Sequence, residues 1–188
     1  MALKERIPAV TAAEFEAFLQ RPENAYRLFE LIDGEVAEKT PTEEHGEACG
    51  AIVAHLFNFN RINRIGRVTL EARHALPGSH DHDVMPDVSF IVGIDRPSVT
   101  RGAIPQMPDL AVEVKSPDDK LPKLLKKVAY YLENGTRWVW VVYPESRTVH
   151  VYQPTGEVQV FGENDVLTAE DILPGFQLPV RDIFQSQS

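Results

Sequence analysis

Three stretches of this chain repeat apolar residues every three to four positions, which is the spacing of one face of a helix. Residues typical of helix ends lie near the boundaries of each stretch. Thr11 and Glu14, for example, have the spacing of a capping box. The sequence therefore predicts helices over residues 11–20, 40–60 and 119–134.

The buried face of the second predicted helix decides which of its polar side chains can reach a neighbouring sheet. Thr40 is the expected N-cap of this helix. At about 100° per residue, His45 falls on the apolar stripe, Glu44 lies toward its flank, and Glu47 falls nearly opposite. His45 is therefore a candidate site residue, whereas Glu47 is expected to face away from a site.

The third predicted helix is rich in lysine. Its pattern predicts that the lysines lie mostly outward, where their charges stay in water. Four apolar residues are predicted to face inward, namely Leu121, Leu125, Val128 and Leu132.

Short apolar runs predict strands between and after the helices. Asp33 and Gly34 suit a tight hairpin turn within residues 26–38. Further strands are predicted over residues 67–73, 84–92, 110–115 and 138–143, and a second hairpin over residues 148–161. The order predicts a single α/β domain over residues 1–188, with a core of helix, three strands, helix and strand between an N-terminal and a C-terminal β-hairpin.

Strand alternation predicts where acidic side chains meet on this sheet. Glu113 and Lys115 share one face of their strand, and Asp87 lies opposite the apolar face of the preceding strand. Two carboxylates and one ammonium can thus converge at the ends of neighbouring strands. A surface salt bridge at an exposed strand end is the alternative interpretation. Like charges on the acidic pair are expected to destabilise the metal-free protein, so Asp87→Asn should relieve strain.

Such a trio suits metal-assisted hydrolysis of a phosphodiester, because hard oxygen ligands hold Mg²⁺ or Mn²⁺ while leaving positions open for water and phosphate. Asp87, Glu113 and the main-chain carbonyl of Val114 are the predicted metal ligands. Lys115 is predicted to position or deprotonate the attacking water.

Charge and cysteine content narrow the setting of this chemistry. The formal net charge of −9 opposes bulk attraction to nucleic acid, so DNA must be held by local basic patches. The single cysteine allows no internal disulfide and favours a cytoplasmic location. No long apolar run follows the charged N-terminus, so neither a signal peptide nor a membrane span is expected. The two candidate patches are Lys120, Lys123, Lys126, Lys127 and Arg137, and Arg61, Arg64 and Arg67.

An ordered set of motifs resembles the Uma-type family of restriction-endonuclease-like proteins, within the PD-(D/E)XK nuclease superfamily. The resemblance covers nearly the whole chain. It rests on residues 29–35 (FELIDGE), His45, residues 86–88 (PDV), 108–114 (PDLAVEV), 116–117 (SP), 126–131 (KKVAYY), 138–142 (WVWVV) and 173–176 (LPGF).

This resemblance implies a restriction-endonuclease-like fold, Asp87 and Glu113 as the acidic pair, and DNA as substrate. Lys115 matches the superfamily pattern, and His45 matches a histidine of the family. Superfamily nucleases often add a further acid, for which Glu30 or Glu35 in the hairpin and Glu44 or Glu47 in the helix are candidates.

Three functions remain open at this level. The first is a metal-dependent endonuclease that hydrolyses DNA. The second is a catalytically inactive nucleic-acid-binding or regulatory module that keeps the nuclease fold. The third is a hydrolase of smaller phosphoesters. The sequence is compatible with a homodimer. The run of histidine and aspartate at residues 80–83 is assigned no role.

Overall fold

A computed structural model describes residues 9–184 of the protein. The charged start of the chain, with Lys4, Glu5 and Arg6, lies mostly outside these residues, as do both ends of the domain predicted over residues 1–188. That single domain stays a prediction. In the described part of the chain, no helix combines the length and the apolar character that crossing a bilayer requires.

The described residues form an α/β fold around a six-stranded sheet, as predicted. Strand order in this sheet is β3-β4-β5-β6-β7-β8, with β5 and β6 parallel and every other neighbouring pair antiparallel. The elements are α1 (Ala12–Leu19), β1 (Leu28–Ile32), β2 (Glu35–Lys39), α2 (Glu43–Asn63), β3 (Gly66–Leu70), β4 (Val88–Val92), β5 (Leu110–Val114), α3 (Leu121–Glu133), β6 (Trp138–Tyr143), β7 (Thr148–Tyr152), β8 (Val158–Phe161), β9 (Val166–Leu167) and β10 (Leu178–Pro179).

The two faces of the sheet are covered by different helices, because side chains alternate along each strand. Leu110, Val112 and Val114 of β5 pack into one core cluster with the inner face of α2. Ala111 of β5 packs into a second cluster with α3. Both faces of β5 are therefore buried, and Glu113 lies under α3 rather than on an open face.

The N-terminal hairpin is confirmed and lies beside the sheet. β1 and β2 pair antiparallel around Asp33 and Gly34, whose φ values of 51° and 73° lie in the left-handed region that such a tight turn requires. Leu31 and Asp83 form an isolated bridge that joins the hairpin to the loop before β4. The second hairpin, β7 and β8, is confirmed as well.

The start of α2 differs from the prediction. Thr42, not Thr40, is the N-cap, and its hydroxyl accepts a hydrogen bond from the His45 amide at 3.3 Å. Thr40 and Pro41 therefore belong to the approach to the helix. The helix also continues to Asn63, beyond the predicted end at residue 60.

The predicted inward face of α3 was right for its second half and wrong for its first. Val128 is buried and Leu132 is half-buried, as predicted, but Leu121 and Leu125 are 46% and 39% exposed. The other buried positions are Leu124, Lys127 and Tyr131. A lysine can take an inward position here because its ammonium meets two buried carboxylates, an arrangement that a count of apolar residues does not reveal.

Candidate metal and catalytic centre

Asp87 lies just before β4 and is 1% exposed. Its Oδ2 accepts hydrogen bonds from the Val114 amide at 2.6 Å and faces His45 Nε2 at 3.1 Å. Its Oδ1 pairs with the Lys39 ammonium at the end of β2. One carboxylate is therefore held by a neighbouring strand, by α2 and by the N-terminal hairpin, which orients it tightly.

Glu113 of β5 is buried under α3, where its two oxygens have different partners. Oε2 accepts a hydrogen bond from Lys127 Nζ at 2.8 Å, and Oε1 accepts one from the Tyr131 hydroxyl at 2.8 Å. Lys127 Nζ also lies 2.8 Å from Glu30 Oε2 in β1. The Lys127 ammonium therefore bridges two carboxylates from different strands.

Asp87, Glu113 and the charged residues that contact them line one cavity of about 180 Å³. Its buried charges are three carboxylates, Asp87, Glu30 and Glu113, and two ammonium groups, Lys39 and Lys127. When all three acids are ionised, three negative charges against two positive charges leave an excess of one negative charge. A polar, acidic cavity of this kind favours a further cation over an anion.

The electrostatics of Asp87 correct one expectation from the sequence. Burial disfavours its charged form, but the Lys39 ammonium and the hydrogen bond from His45 outweigh that cost, so the pKa of Asp87 is lowered. The same pairing raises the pKa of Lys39, although burial opposes it. Asp87 is thus stabilised as a carboxylate without any ion, and Asp87→Asn is not expected to relieve repulsion.

The charged form is destabilised at Glu113 and not at Asp87. Complete burial raises its pKa to about 7, the Lys127 ammonium opposes that rise, and the negative charge of Asp87 adds to it. Burial likewise raises the pKa of the Tyr131 hydroxyl, so Tyr131 remains a hydrogen-bond donor to Glu113.

The raised pKa of Glu113 predicts a particular dependence of stability on pH in the presence of EDTA. An acid whose pKa is about 7 when folded and about 4.5 when unfolded contributes stability that is full below pH 4.5 and is lost as the pH rises through 7. The free energy of unfolding of the wild type should therefore fall, relative to Glu113→Gln, between pH 5 and pH 8. Urea unfolding at both pH values measures this, and parallel pH profiles of the two proteins would contradict it.

The structure also locates the other candidate residues. Val114 lines the cavity, and its amide is bound to Asp87. Lys115 Nζ donates to the neighbouring Ser116 carbonyl at 3.0 Å, and Lys115 is not among the residues that line the cavity. Of the four candidate acids, only Glu30 lines it. The remaining three are exposed or half-buried elsewhere: Glu35, Glu44 and Glu47.

Sequence reasoning missed two residues of the cavity, Lys39 and Lys127, and the buried Tyr131 that donates to Glu113. For two of them a signal existed, because Lys127 and Tyr131 are four residues apart and thus share one helix face with Leu124 and Val128. Lys39 ends a short polar strand, and nothing in its local sequence distinguishes it from a surface lysine.

Cys49, one helical turn after His45, is buried beside this centre. Its sulfur lies 3.7 Å from His45 Nδ1, and burial raises the pKa of the thiol. A protonated, buried thiol is a poor nucleophile, so Cys49 is not a candidate for covalent catalysis.

The run of histidine and aspartate at residues 80–83 has packing contacts. His82 stacks on Tyr130, with ring centroids 4.0 Å apart, and lies 3.3 Å from Asp33 of the hairpin turn. Asp83 is buried in an ion pair with Arg73. These contacts attach the N-terminal hairpin to α3 and the loop before β4.

The donors of the cavity fit a hard divalent cation. Asp87, Glu113 and Val114 line the cavity, the Asp87 carboxylate contacts the Val114 backbone, and Mg²⁺ prefers oxygen ligands with several positions left to water. The Lys39 and Lys127 ammonium groups occupy part of this space, so an ion has to displace Lys39 from Asp87 Oδ1. The excess negative charge of the cavity favours that exchange.

A family profile and a solved structure match this chain. The sequence profile of the Uma2 family, described as "Putative restriction endonuclease", matches residues 15–181. A crystal structure of "a putative nuclease belonging to DUF820" from Anabaena variabilis ATCC 29413 is similar, with a TM-score of 0.78 and 28% sequence identity. The match covers 94% of this chain and 98% of the other. None of the curated proteins compared with the chain matches it.

Proposed function

Because this chain belongs to the Uma2 family of restriction-endonuclease-like proteins, we propose that it is a divalent-metal-dependent endonuclease that hydrolyses DNA phosphodiester bonds. One observation carries the proposal: Asp87 and Glu113 are buried in one cavity, whose two buried ammonium groups leave one negative charge unbalanced when all of its buried acids are ionised. A site built only for stability would not need this excess charge in the interior.

Asp87, Glu113 and the Val114 carbonyl are the proposed ligands of Mg²⁺ or Mn²⁺. When bound, such an ion stabilises negative charge that develops on the phosphate and lowers the pKa of a water molecule. His45 and the Val114 amide fix Asp87 Oδ2, so Oδ1 is the oxygen free to exchange Lys39 for the ion. His45 is therefore proposed as a residue that positions Asp87.

The chain offers three ammonium groups for the role predicted for Lys115. Lys127 and Lys39 already contact the acidic residues, whereas Lys115 contacts the Ser116 carbonyl. We therefore propose that Lys127, oriented by Glu30 and Glu113, supplies positive charge beside the reacting phosphate. The role of Lys115 stays a prediction that the cleavage assay described in the Discussion tests.

The exposed lysines at the mouth of the cavity support DNA as the substrate. Lys120 and Lys123 line the cavity and are exposed. The rest of the predicted patch contributes less, because Lys127 is buried and Lys126 and Arg137 pair with aspartates.

The proposal includes a cytoplasmic location, which suits the single thiol. Light scattering would decide between a monomer and a homodimer.

Incubation with supercoiled plasmid DNA and Mg²⁺ or Mn²⁺ tests the function. We expect the purified wild type to nick or linearise the plasmid, and we expect EDTA to stop the reaction. Asp87→Asn should show no nicking above background, which excludes a contaminating nuclease as the source. Melting curves of both proteins establish that the variant is folded.

Two other outcomes would replace the proposal. Binding of DNA without nicking under any of these metals would identify an inactive binding or regulatory module. Turnover of a small phosphodiester such as bis(p-nitrophenyl) phosphate, without cleavage of DNA, would identify a hydrolase of smaller esters.

A further inference from the structure

The α2 side of Asp87 carries a second set of metal-ligating atoms. His45 and Cys49 are four residues apart on the buried face of α2, so their side chains are neighbours. Asp87 meets them from the start of β4. One ligand atom from each residue lies within 4.8 Å of the other two.

The separation of Cys49 and His45 matches a tetrahedral ion with mixed ligands. Zinc binds sulfur at about 2.3 Å and imidazole nitrogen at about 2.0–2.1 Å, which separates the two ligand atoms by roughly 3.6 Å. The Cys49 sulfur and His45 Nδ1 are 3.7 Å apart, whereas Asp87 Oδ2 lies 3.1 Å from the other ring nitrogen, Nε2, so the imidazole has to turn for one nitrogen to share an ion with both partners. Three protein ligands leave one position for a water molecule, and His45 and Asp87 both line the cavity through which that water and the ion would enter.

Ligand chemistry distinguishes this set from the proposed magnesium site. Asp87, Glu113 and the Val114 carbonyl are all oxygen donors, which suit Mg²⁺. A cysteine sulfur and an imidazole nitrogen instead select thiophilic ions such as Zn²⁺ and Cd²⁺. Asp87 belongs to both sets, so the two kinds of ion cannot be bound independently.

We propose that His45, Cys49 and Asp87 bind a thiophilic divalent ion, Zn²⁺ or Cd²⁺, which competes with Mg²⁺ for Asp87. The competition, but not the binding itself, rests on the function proposed above. A bound thiophilic ion holds Asp87 through Oδ2, the oxygen that already faces His45, and its positive charge opposes a Mg²⁺ ion at Oδ1, which switches cleavage off. Binding releases the thiol proton of Cys49 to solvent and involves no oxidation.

Titration of the metal-free protein with Cd²⁺ tests the site without any assay of cleavage. Cys49 is the only cysteine of the chain, so any thiolate-to-cadmium charge-transfer band reports on Cys49 alone. We expect a band that saturates at one equivalent in the wild type and is absent in Cys49→Ser. His45→Ala and Asp87→Asn should each weaken Cd²⁺ binding by about tenfold or more.

A matched control separates a chelate from a lone thiol. His55, a half-buried histidine farther along α2, lies 3.4 Å from Asp182 and does not belong to the cluster, so His55→Ala should leave the titration unchanged. A wild type without the band would overturn the site. Unchanged Cd²⁺ affinity in both His45→Ala and Asp87→Asn would mean that the Cys49 thiolate binds the ion without His45 and Asp87. Should His45→Ala not fold, His45→Gln takes its place.

Competition between ions completes the test. Excess Mg²⁺ should raise the Cd²⁺ concentration needed for half saturation, and an unchanged value would overturn the sharing of Asp87. If the protein cleaves DNA, Cys49→Ser should cleave like the wild type with Mg²⁺ but resist inhibition by Zn²⁺. Equal inhibition of both proteins would overturn the switch. A protein that binds Cd²⁺ as described but cleaves no DNA would leave the site intact and remove the proposed function.

Discussion

Replacing Lys127 with methionine is expected to lower the free energy of unfolding by about 3–5 kcal/mol, because it leaves Glu30 and Glu113 buried without their shared ammonium. Methionine keeps most of the side-chain volume, so the loss reports on charge rather than on packing. The loss should be larger at pH 8 than at pH 5, because at pH 5 Glu113 can take up a proton instead. Urea unfolding at both pH values measures it.

The adjacent residue provides the control. Lys126 is exposed and pairs with Asp33 on the surface, so Lys126→Met should hardly change stability. Adding Glu113→Gln to Lys127→Met should restore part of the loss, since one unpaired buried charge is then removed. A Lys127→Met protein as stable as Lys126→Met would mean that Lys127 is not needed to balance the buried acids.

Glu113→Gln is expected to slow metal-dependent cleavage of DNA by about 10²–10³-fold. Glutamine keeps the shape of the side chain and an acceptor for the Tyr131 hydroxyl, but it removes the charge that would bind the ion. Rates of plasmid nicking at saturating Mg²⁺, measured on protein shown to be folded, test this expectation.

Two further variants serve as a control for this measurement and as a test of Lys115. Asp118 is an exposed acid at the rim of the same cavity, and Asp118→Asn should cleave nearly as fast as the wild type. Lys115→Ala, run in parallel, tests the lysine predicted from the strand pattern. Loss of cleavage in Lys115→Ala would identify Lys115 as the catalytic amine. Cleavage by Lys115→Ala at the wild-type rate would leave that role to Lys127 or Lys39. Equal rates for Glu113→Gln and Asp118→Asn would remove Glu113 from the site.

Local sequence was sufficient to predict the strands of the central sheet and the face of β5 on which Glu113 lies. Strand alternation depends only on neighbouring residues, so the division of β5 between Val112 and Val114 on one face and Glu113 on the other could be read directly. The inward phase of His45 followed in the same way from the helix period. These features lie within single elements, and no distant partner is needed to specify them.

Tertiary structure decided which charges balance the acids. A pattern of apolar residues assigns lysines to water, because burying an unpaired ammonium costs several kcal/mol, so Lys127 was expected outside. The burial of Lys127 is favourable only because Glu30, far away in β1, and Glu113 in β5 meet at its ammonium. The same holds for Lys39, which pairs with Asp87 across 48 positions of sequence.

The protonation states of Asp87 and Glu113 also depend on the tertiary structure. The sequence places Asp87 and Glu113 near each other, and by that proximity alone both would be strained. Both acids are buried, but the fold surrounds Asp87 with Lys39, His45 and the Val114 amide, whereas Glu113 shares the Lys127 ammonium with Glu30, so the pKa values of Asp87 and Glu113 move in opposite directions. The sequence by itself placed Asp87 and Glu113 in adjoining elements and left Glu30 as one of four possible further acids. Long-range packing determined which acids meet and which of them holds its charge, because desolvation and ion pairing depend on neighbours that only the folded chain brings together.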